Sequence, residues 1–319
     1  MKRFFKISLL IIPAVIVIMI FQNYPASSQP KPFERLSDTA NIKRCLELVV
    51  NTSKPRWFRN VDVLDTVANR IQSDFLRYSN RVSFQNFNIQ GSEYRNVIAS
   101  FGPENAERII VGAHYDVCGE QGGADDNASG VAGILELARL LKDRPLGYRI
   151  DLVAYSTEEP PFFGTKNMGS YVHAKSLFDE KIPVLGMVSL EMIGYYSHEE
   201  NSQRYPVGIL KMFYGDKGNF ITIVQKSFGG KFARVYKRLA FDHNSLPTKS
   251  FNAPSFFGGI NLSDHMNYWK FGYSAIMITN TSFYRNHNYH KTTDQLSTLD
   301  INSMALAIDG VYRTLVAFK

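Results

Sequence analysis

Four segments of the chain are near-continuous apolar runs bounded by polar residues: 108–113, 150–155, 184–190 and 274–278. Runs of this length without polar alternation suit strands covered on both faces, which predicts an α/β sheet with helices on either side. Helical periodicity separates them. Residues 129–141 place Val131, Ile134, Leu135, Ala138 and Leu141 on one face, with Ser129 or Asn127 positioned to cap the start. Val61, Leu64, Val67, Ala68, Ile71 and Phe75 predict an N-terminal helix. Residues 301–318 predict a closing helix, and 212–238 a strand and helix beside the cleft.

Residues with metal-ligand chemistry follow every run. His114-x-Asp116 closes the first, Glu158-Glu159 follows the second, Glu191 the third and His290 the fourth, with Asp125-Asp126-Asn127 between the first two. In an open α/β sheet, ligands gather at the carboxyl ends of strands, so these residues can meet in one crevice. Imidazole and carboxylate donors without thiolate suit zinc, with manganese or cobalt as alternatives, and a carboxylate between two ligand sets can bridge a pair of ions. Asp126 is the expected bridge. Singly, each residue has a structural reading: a core histidine, a solvated acidic pair, a turn. Their joint placement behind four strands favours the metal site.

The words Gly112-Ala113-His114-Tyr115-Asp116, Gly123-Ala124-Asp125-Asp126-Asn127-Ala128-Ser129-Gly130, Ser156-Thr157-Glu158-Glu159, Leu190-Glu191-Met192-Ile193-Gly194, Ser263-Asp264-His265 and Tyr289-His290 carry a resemblance to the M28 family of zinc aminopeptidases. It spans roughly residues 41–319 and follows the family's order. The resemblance implies a mixed, mostly parallel central sheet sandwiched between helices. It implies that His114 and Glu191 hold one zinc and Glu159 and His290 the other, with Asp126 bridging. Two ions are expected, with one as the alternative. Glu158 would be the general base, acting on a metal-held water to remove N-terminal residues from peptides. Asp116 joins it in the catalytic set as the carboxylate that orients the His114 ring, and Asp294 is a candidate for the same service to His290, or a turn residue. A cis peptide between Asp126 and Asn127 is implied as well.

Two departures from the family pattern bear on function. Many members carry Asp where this chain has Glu191, whose extra methylene moves the carboxylate outward. The stretch Gly258-Gly259-Ile260-Asn261-Leu262 lacks a tyrosine that some members use to support the oxyanion. These keep in view the related glutaminyl cyclases, which use one zinc on a similar scaffold. A non-catalytic module of the same fold would typically have lost ligands, whereas this chain keeps all five positions. Asp264 and His265 are expected in a loop that could face substrate. Phe162, Phe163, Tyr195, Tyr196, Phe256 and Phe257 are candidates for a hydrophobic pocket or for core.

At 319 residues and 45% hydrophobic composition, one large core is expected. Lys2, Arg3 and Lys6 precede an apolar run over 7–21, followed by Pro25-Ala26-Ser27-Ser28-Gln29-Pro30. That reads as a signal peptide or an uncleaved signal anchor over 1–28, a linker over 29–40 and a catalytic domain over 41–319, with the catalytic part exported. Removing the three leading basic residues lowers the net charge from +7 to +4, and no basic-aromatic tract is present, so nucleic acid is not an expected partner. Peptide is the expected substrate. The two cysteines, Cys45 and Cys118, exclude a disulfide-stapled fold, and Cys118 reads as a small buried thiol rather than a nucleophile. No Gly-x-Ser-x-Gly elbow supports a serine hydrolase.

Overall fold

The computed structural model describes residues 23–255 and 257–318. The apolar run over 7–21 and Phe256 lie outside the described residues. Among the described residues no helix is long and apolar enough to cross a membrane.

The strands are β1 (Ser27–Ser28), β2 (Val82–Ile89), β3 (Ser92–Phe101), β4 (Arg108–His114), β5 (Arg149–Tyr155), β6 (Val184–Glu191), β7 (Ile221–Lys226), β8 (Thr248–Ala253) and β9 (Ala275–Thr279). The helices are α1 (Thr39–Val50), α2 (Val61–Phe75), α3 (Gly130–Leu141), α4 (Gly169–Asp179), α5 (Leu210–Tyr214), α6 (Lys231–His243), α7 (His265–Lys270) and α8 (Ile301–Ala317). One nine-stranded sheet runs β1-β8-β7-β9-β6-β4-β5-β3-β2. The four strands that came from the apolar runs, β9, β6, β4 and β5, are adjacent and parallel. Antiparallel pairings flank them at β7–β9 and β3–β5, and the sheet is mixed, with six of its nine strands pointing one way.

Alternation within the apolar runs explains how both faces are filled. On β4, Ile109, Val111 and Ala113 join the larger core with residues of α1, α2, α3 and α8, while Ile110 joins Val153, Met187 and α4 and α7 residues in a second cluster on the other face. A polar residue in any of these central strands would be buried on one side or the other.

The N-terminal boundary differs from the sequence reading. α1 starts at Thr39, capped by Asp38, whose Oδ1 accepts the Ala40 N–H at 2.9 Å. Upstream, Leu36 N–H, Ser37 N–H and Ser37 Oγ all donate to the Asp309 carboxylate of α8 at 2.8, 2.8 and 2.6 Å. Ser27 and Ser28 pair with Lys249 and Thr248 at the sheet edge. Part of the stretch read as linker is thus tied down through polar contacts to distant segments, which composition does not reveal. The hairpin β2–β3 also escaped the sequence reading, because its outer strand is only partly buried and its apolar residues, Val82, Phe84, Phe87 and Ile89, break alternation at Gln85-Asn86.

Candidate functional site

Because β4, β5, β6 and β9 are parallel neighbours, their carboxyl ends open on one side of the sheet, and the residues that follow them converge there. His114 is the last residue of β4 and Glu191 the last of β6. Glu158 and Glu159 follow β5 after Thr157, which sits at φ +58°. Asp126 lies in a kinked turn over Ala124–Ser129, and the Asp126–Asn127 peptide is cis, as the resemblance implies.

All five predicted donors meet. Asp126 stands between the two imidazoles, with Oδ1 3.5 Å from His114 Nε2 and Oδ2 3.3 Å from His290 Nε2. Glu191 Oε2 lies 3.5 Å from His114 Nε2, and Glu159 Oε1 lies 3.3 Å from His290 Nε2. Glu158 Oε2 is further from His114 Nε2, at 3.9 Å, and its carboxylate lines the adjoining cavity. Glu159 thus stands against His290 and Glu158 nearer His114, although an oxygen of each glutamate also lies within 4.8 Å of a His114 ring nitrogen.

Asp116 does more than the sequence suggested. Its Oδ1 is 3.4 Å from His114 Nδ1, close enough for an ion pair although the angles make no hydrogen bond. The same carboxylate accepts the backbone N–H groups of Glu158 and Glu159 at 3.1 and 3.0 Å, so it fixes the segment carrying both glutamates. Asp294 departs from expectation. It does not serve the His290 ring but accepts backbone N–H groups of Asp125 and Asp126 at 3.0 Å each. Asp264 and His265 are a correction: they open α7, both fully buried, and His265 Nε2 is 2.7 Å from the Ile260 carbonyl, so neither is a loop residue facing substrate.

Several residues in and around the recognised words position the cluster. Asp125, inside the recognised word, is a hub: Oδ1 accepts Gly194 N–H at 2.8 Å and Oδ2 accepts the side-chain amides of Asn280 and Asn286, each at 2.8 Å. Asn127 Oδ1 accepts Gly130 N–H at 3.1 Å and Met192 N–H at 2.9 Å, capping α3 while holding the end of β6. α3 packs so tightly here that a Cβ built on Gly130 would lie 2.5 Å from the Leu190 carbonyl. Buried Arg56 donates to the carbonyls of Tyr115 and Gly123 at 2.8 and 2.9 Å and brings positive charge behind the cluster.

The site crowds the carboxyl groups of Asp126, Glu158, Glu159 and Glu191 around two imidazoles. Burial raises the carboxyl groups of Glu158, Glu159 and Glu191, Glu159 to about 7 and Glu158 well above the usual range. Burial opposes charge on His114, but Glu158 and Glu191 outweigh it and push the imidazole well above its ordinary value. Burial also opposes charge on His290, yet Asp126 and Glu159 facing Nε2 carry it up to about 10. Asp126 would be raised by burial, but the two imidazoles hold it well below the ordinary carboxylate value. Asp126 Oδ2, His114 Nδ1 and His290 Nε2 are also buried without a hydrogen-bond partner. Oxygen and nitrogen donors with unspent lone pairs and excess negative charge fit a divalent ion.

Beside the cluster lies a cavity of about 200 Å³ whose wall includes Phe163, Phe220, Val224, Phe251 and Met277. Of the aromatic residues proposed from sequence, only Phe163 lines it among the described residues. Phe162 packs on Phe58 and Tyr94, Tyr196 is buried against Arg285, and Phe257 packs at a tilt against Phe251. Alternate residues of β7, β8 and β9 supply one part of the wall, and segments 203–214, 258–262 and 281–290 supply much of the rest.

The sequence profile of Peptidase family M28 matches residues 96–315. Over 326 aligned residues the chain is 38% identical to the uncharacterized protein YfbL of Escherichia coli (strain K12), covering 100% of this chain and 99% of that protein. Among solved structures, the LapA aminopeptidase of Legionella pneumophila superposes with a TM-score of 0.67 at 19% identity, covering 88% of this chain and 71% of that one. The glutaminyl cyclase of Bacteroides thetaiotaomicron bound to N-acetylhistamine superposes with a TM-score of 0.65 at 17% identity, covering 90% and 100%. At these identities the two structures establish the fold alone.

Proposed function

Because the chain belongs to peptidase family M28, we propose that it is a zinc-dependent aminopeptidase. The observation that carries this reading is Asp126, which faces a histidine with each carboxylate oxygen and leaves Oδ2 without a hydrogen bond. In the proposed assignment His114 and Glu191 would hold one zinc and Glu159 and His290 a second, with Asp126 available to both. Zinc held there would polarise the scissile carbonyl and lower the pKa of water in its shell.

The chain's own residues supply the rest. Glu158, on the cavity wall and bearing a burial-raised carboxyl, accepts the proton of the attacking water and returns it to the leaving amine. Asp116 keeps Glu158 aimed by accepting its backbone N–H. The carboxylates at the closed end suit a substrate's free ammonium, and the apolar wall suits an apolar first side chain. The basic residues and apolar run at the N-terminus support export as a cleaved or anchored protein; N-terminal sequencing of the mature chain and membrane fractionation distinguish the two, and an uncleaved chain recovered wholly from the cytosol counts against export.

Cyclisation of N-terminal glutamine is the second reading, favoured by Glu191 and by the fold shared with a glutaminyl cyclase. Mass spectrometry of peptides incubated with the zinc-loaded protein separates the readings. Release of the first residue from free but not N-acetylated peptides, fastest for apolar residues and abolished by chelation, is the expected result. Pyroglutamate formation without residue release would replace the aminopeptidase reading, and no turnover of any peptide would point to the non-catalytic module.

A further inference from the structure

Cys118 follows β4 on the loop that leads into the Ala124–Ser129 turn, and it is half-buried rather than the enclosed thiol expected from sequence. Its Sγ, a carboxylate oxygen of Glu159 and a ring nitrogen of His290 all lie within 4.8 Å of one another. Beside this trio stands Asp126 Oδ2, on a side chain 2% exposed, unpartnered and 3.3 Å from His290 Nε2. The other half of the cluster, His114, Asp126 and Glu191, offers only nitrogen and oxygen. The two halves therefore differ in donor chemistry.

We propose that Cys118 is a further ligand of the metal held by Glu159 and His290, giving that position nitrogen, oxygen and sulfur donors. This rests on the metal reading above. Zinc holds nitrogen at roughly 2.0–2.1 Å and thiolate sulfur at about 2.3 Å, so donors spread around one ion stand up to about 4 Å apart. Donors within 4.8 Å close on an ion by shifts of side-chain torsions alone. On binding, the thiol proton leaves to solvent and a sulfur–metal bond forms, with no change of oxidation state. Thiolate makes the position soft, so it favours zinc, cobalt and cadmium over manganese or magnesium, while the His114 side carries no such bias.

Cobalt(II) titration of the metal-free full chain tests this without any activity readout. Visible ligand-field bands report that an ion is bound, and an ultraviolet thiolate-to-cobalt charge-transfer band reports sulfur ligation. Both are expected in the native chain and in Cys45→Ser, whereas Cys118→Ser keeps the visible bands and loses the charge-transfer band. Cadmium affinity at that position falls at least about tenfold in Cys118→Ser while manganese affinity stays within about threefold. Visible bands without a charge-transfer band in the native chain, or a charge-transfer band that survives in Cys118→Ser, overturn the inference and leave the metal reading intact. Absence of visible bands in the native chain overturns both.

Discussion

Asp294 holds Asp126 by its backbone: Oδ2 of the one accepts the N–H of the other at 3.0 Å, across 168 residues of sequence. The bridging carboxylate is thereby fixed from behind, and the adjoining Asp125 N–H is held by the same group. Asp294→Asn substitutes a neutral amide for an anion that meets two donors. Zinc affinity should fall by about 10–100-fold, the range typical when the support of a metal ligand is removed, with the fold retained. Chelator competition measures this, and an unchanged affinity would make Asp294 a bystander.

Glu191 reaches the site on a side chain one methylene longer than an aspartate, and it is braced there. Its Oε2 accepts Ser263 Oγ at 2.8 Å, which in turn lies 2.8 Å from Ser189 Oγ. Glu191→Asp should keep turnover within about tenfold, and Glu191→Ala should weaken metal binding by more than Asp294→Asn does. Equal turnover and metal content in all three forms would exclude Glu191 as a ligand.

A separate pH dependence comes from His173, buried on α4 with Nδ1 2.6 Å from Tyr268 Oη, itself 2.8 Å from Tyr155 Oη. Burial pushes this imidazole down to about 4, with Asp151 opposing and Arg108 and Arg149 reinforcing. The unfolded chain, with a value near 6.5, binds more protons between about pH 4 and 6.5. This contribution to stability is complete above about 6.5 and is lost as pH falls toward 4. His265, also pushed down to about 4 by burial, adds a slope of the same sign, while the raised carboxyl groups of the metal-free cluster act oppositely. Denaturant unfolding of wild type against His173→Gln isolates the histidine. Wild type should lose on the order of 2–3 kcal/mol relative to the variant between about pH 7 and pH 4. A difference that does not change with pH contradicts this.

How much of this was legible beforehand follows from the physics of each element. The central strands were, within a residue at each end, because burial on both faces leaves mostly apolar residues there, with Asp151 and Ser189 as buried exceptions, and the convergence of His114, Glu158, Glu159 and Glu191 follows from placing them at carboxyl ends. His290 follows β9 only after a loop, so its place relied on the family word. Residues that position the ligands were hidden. Asp125 meets Gly194, Asn280 and Asn286 from 69, 155 and 161 residues away, and no local pattern marks such partners. Asp264 and His265 looked like loop because they are polar, yet they are buried where α7 begins, with His265 bonded to the Ile260 carbonyl. The cavity wall was misread because much of it comes from loops far apart in sequence, and of the pair Phe162-Phe163 only Phe163 lines it while Phe162 packs on Phe58 and Tyr94.

Glu158 tests the central claim most directly. Glu158→Gln preserves shape and removes the proton acceptor, so zinc content after reconstitution should match wild type while turnover of an apolar aminoacyl peptide falls by about 10²–10⁴-fold. Glu159→Gln, measured alongside, should lose metal first, because a neutral amide is a poorer ligand for a dication. Near-normal turnover by Glu158→Gln at full metal occupancy would contradict the account, since the proton would then be moving through some other group.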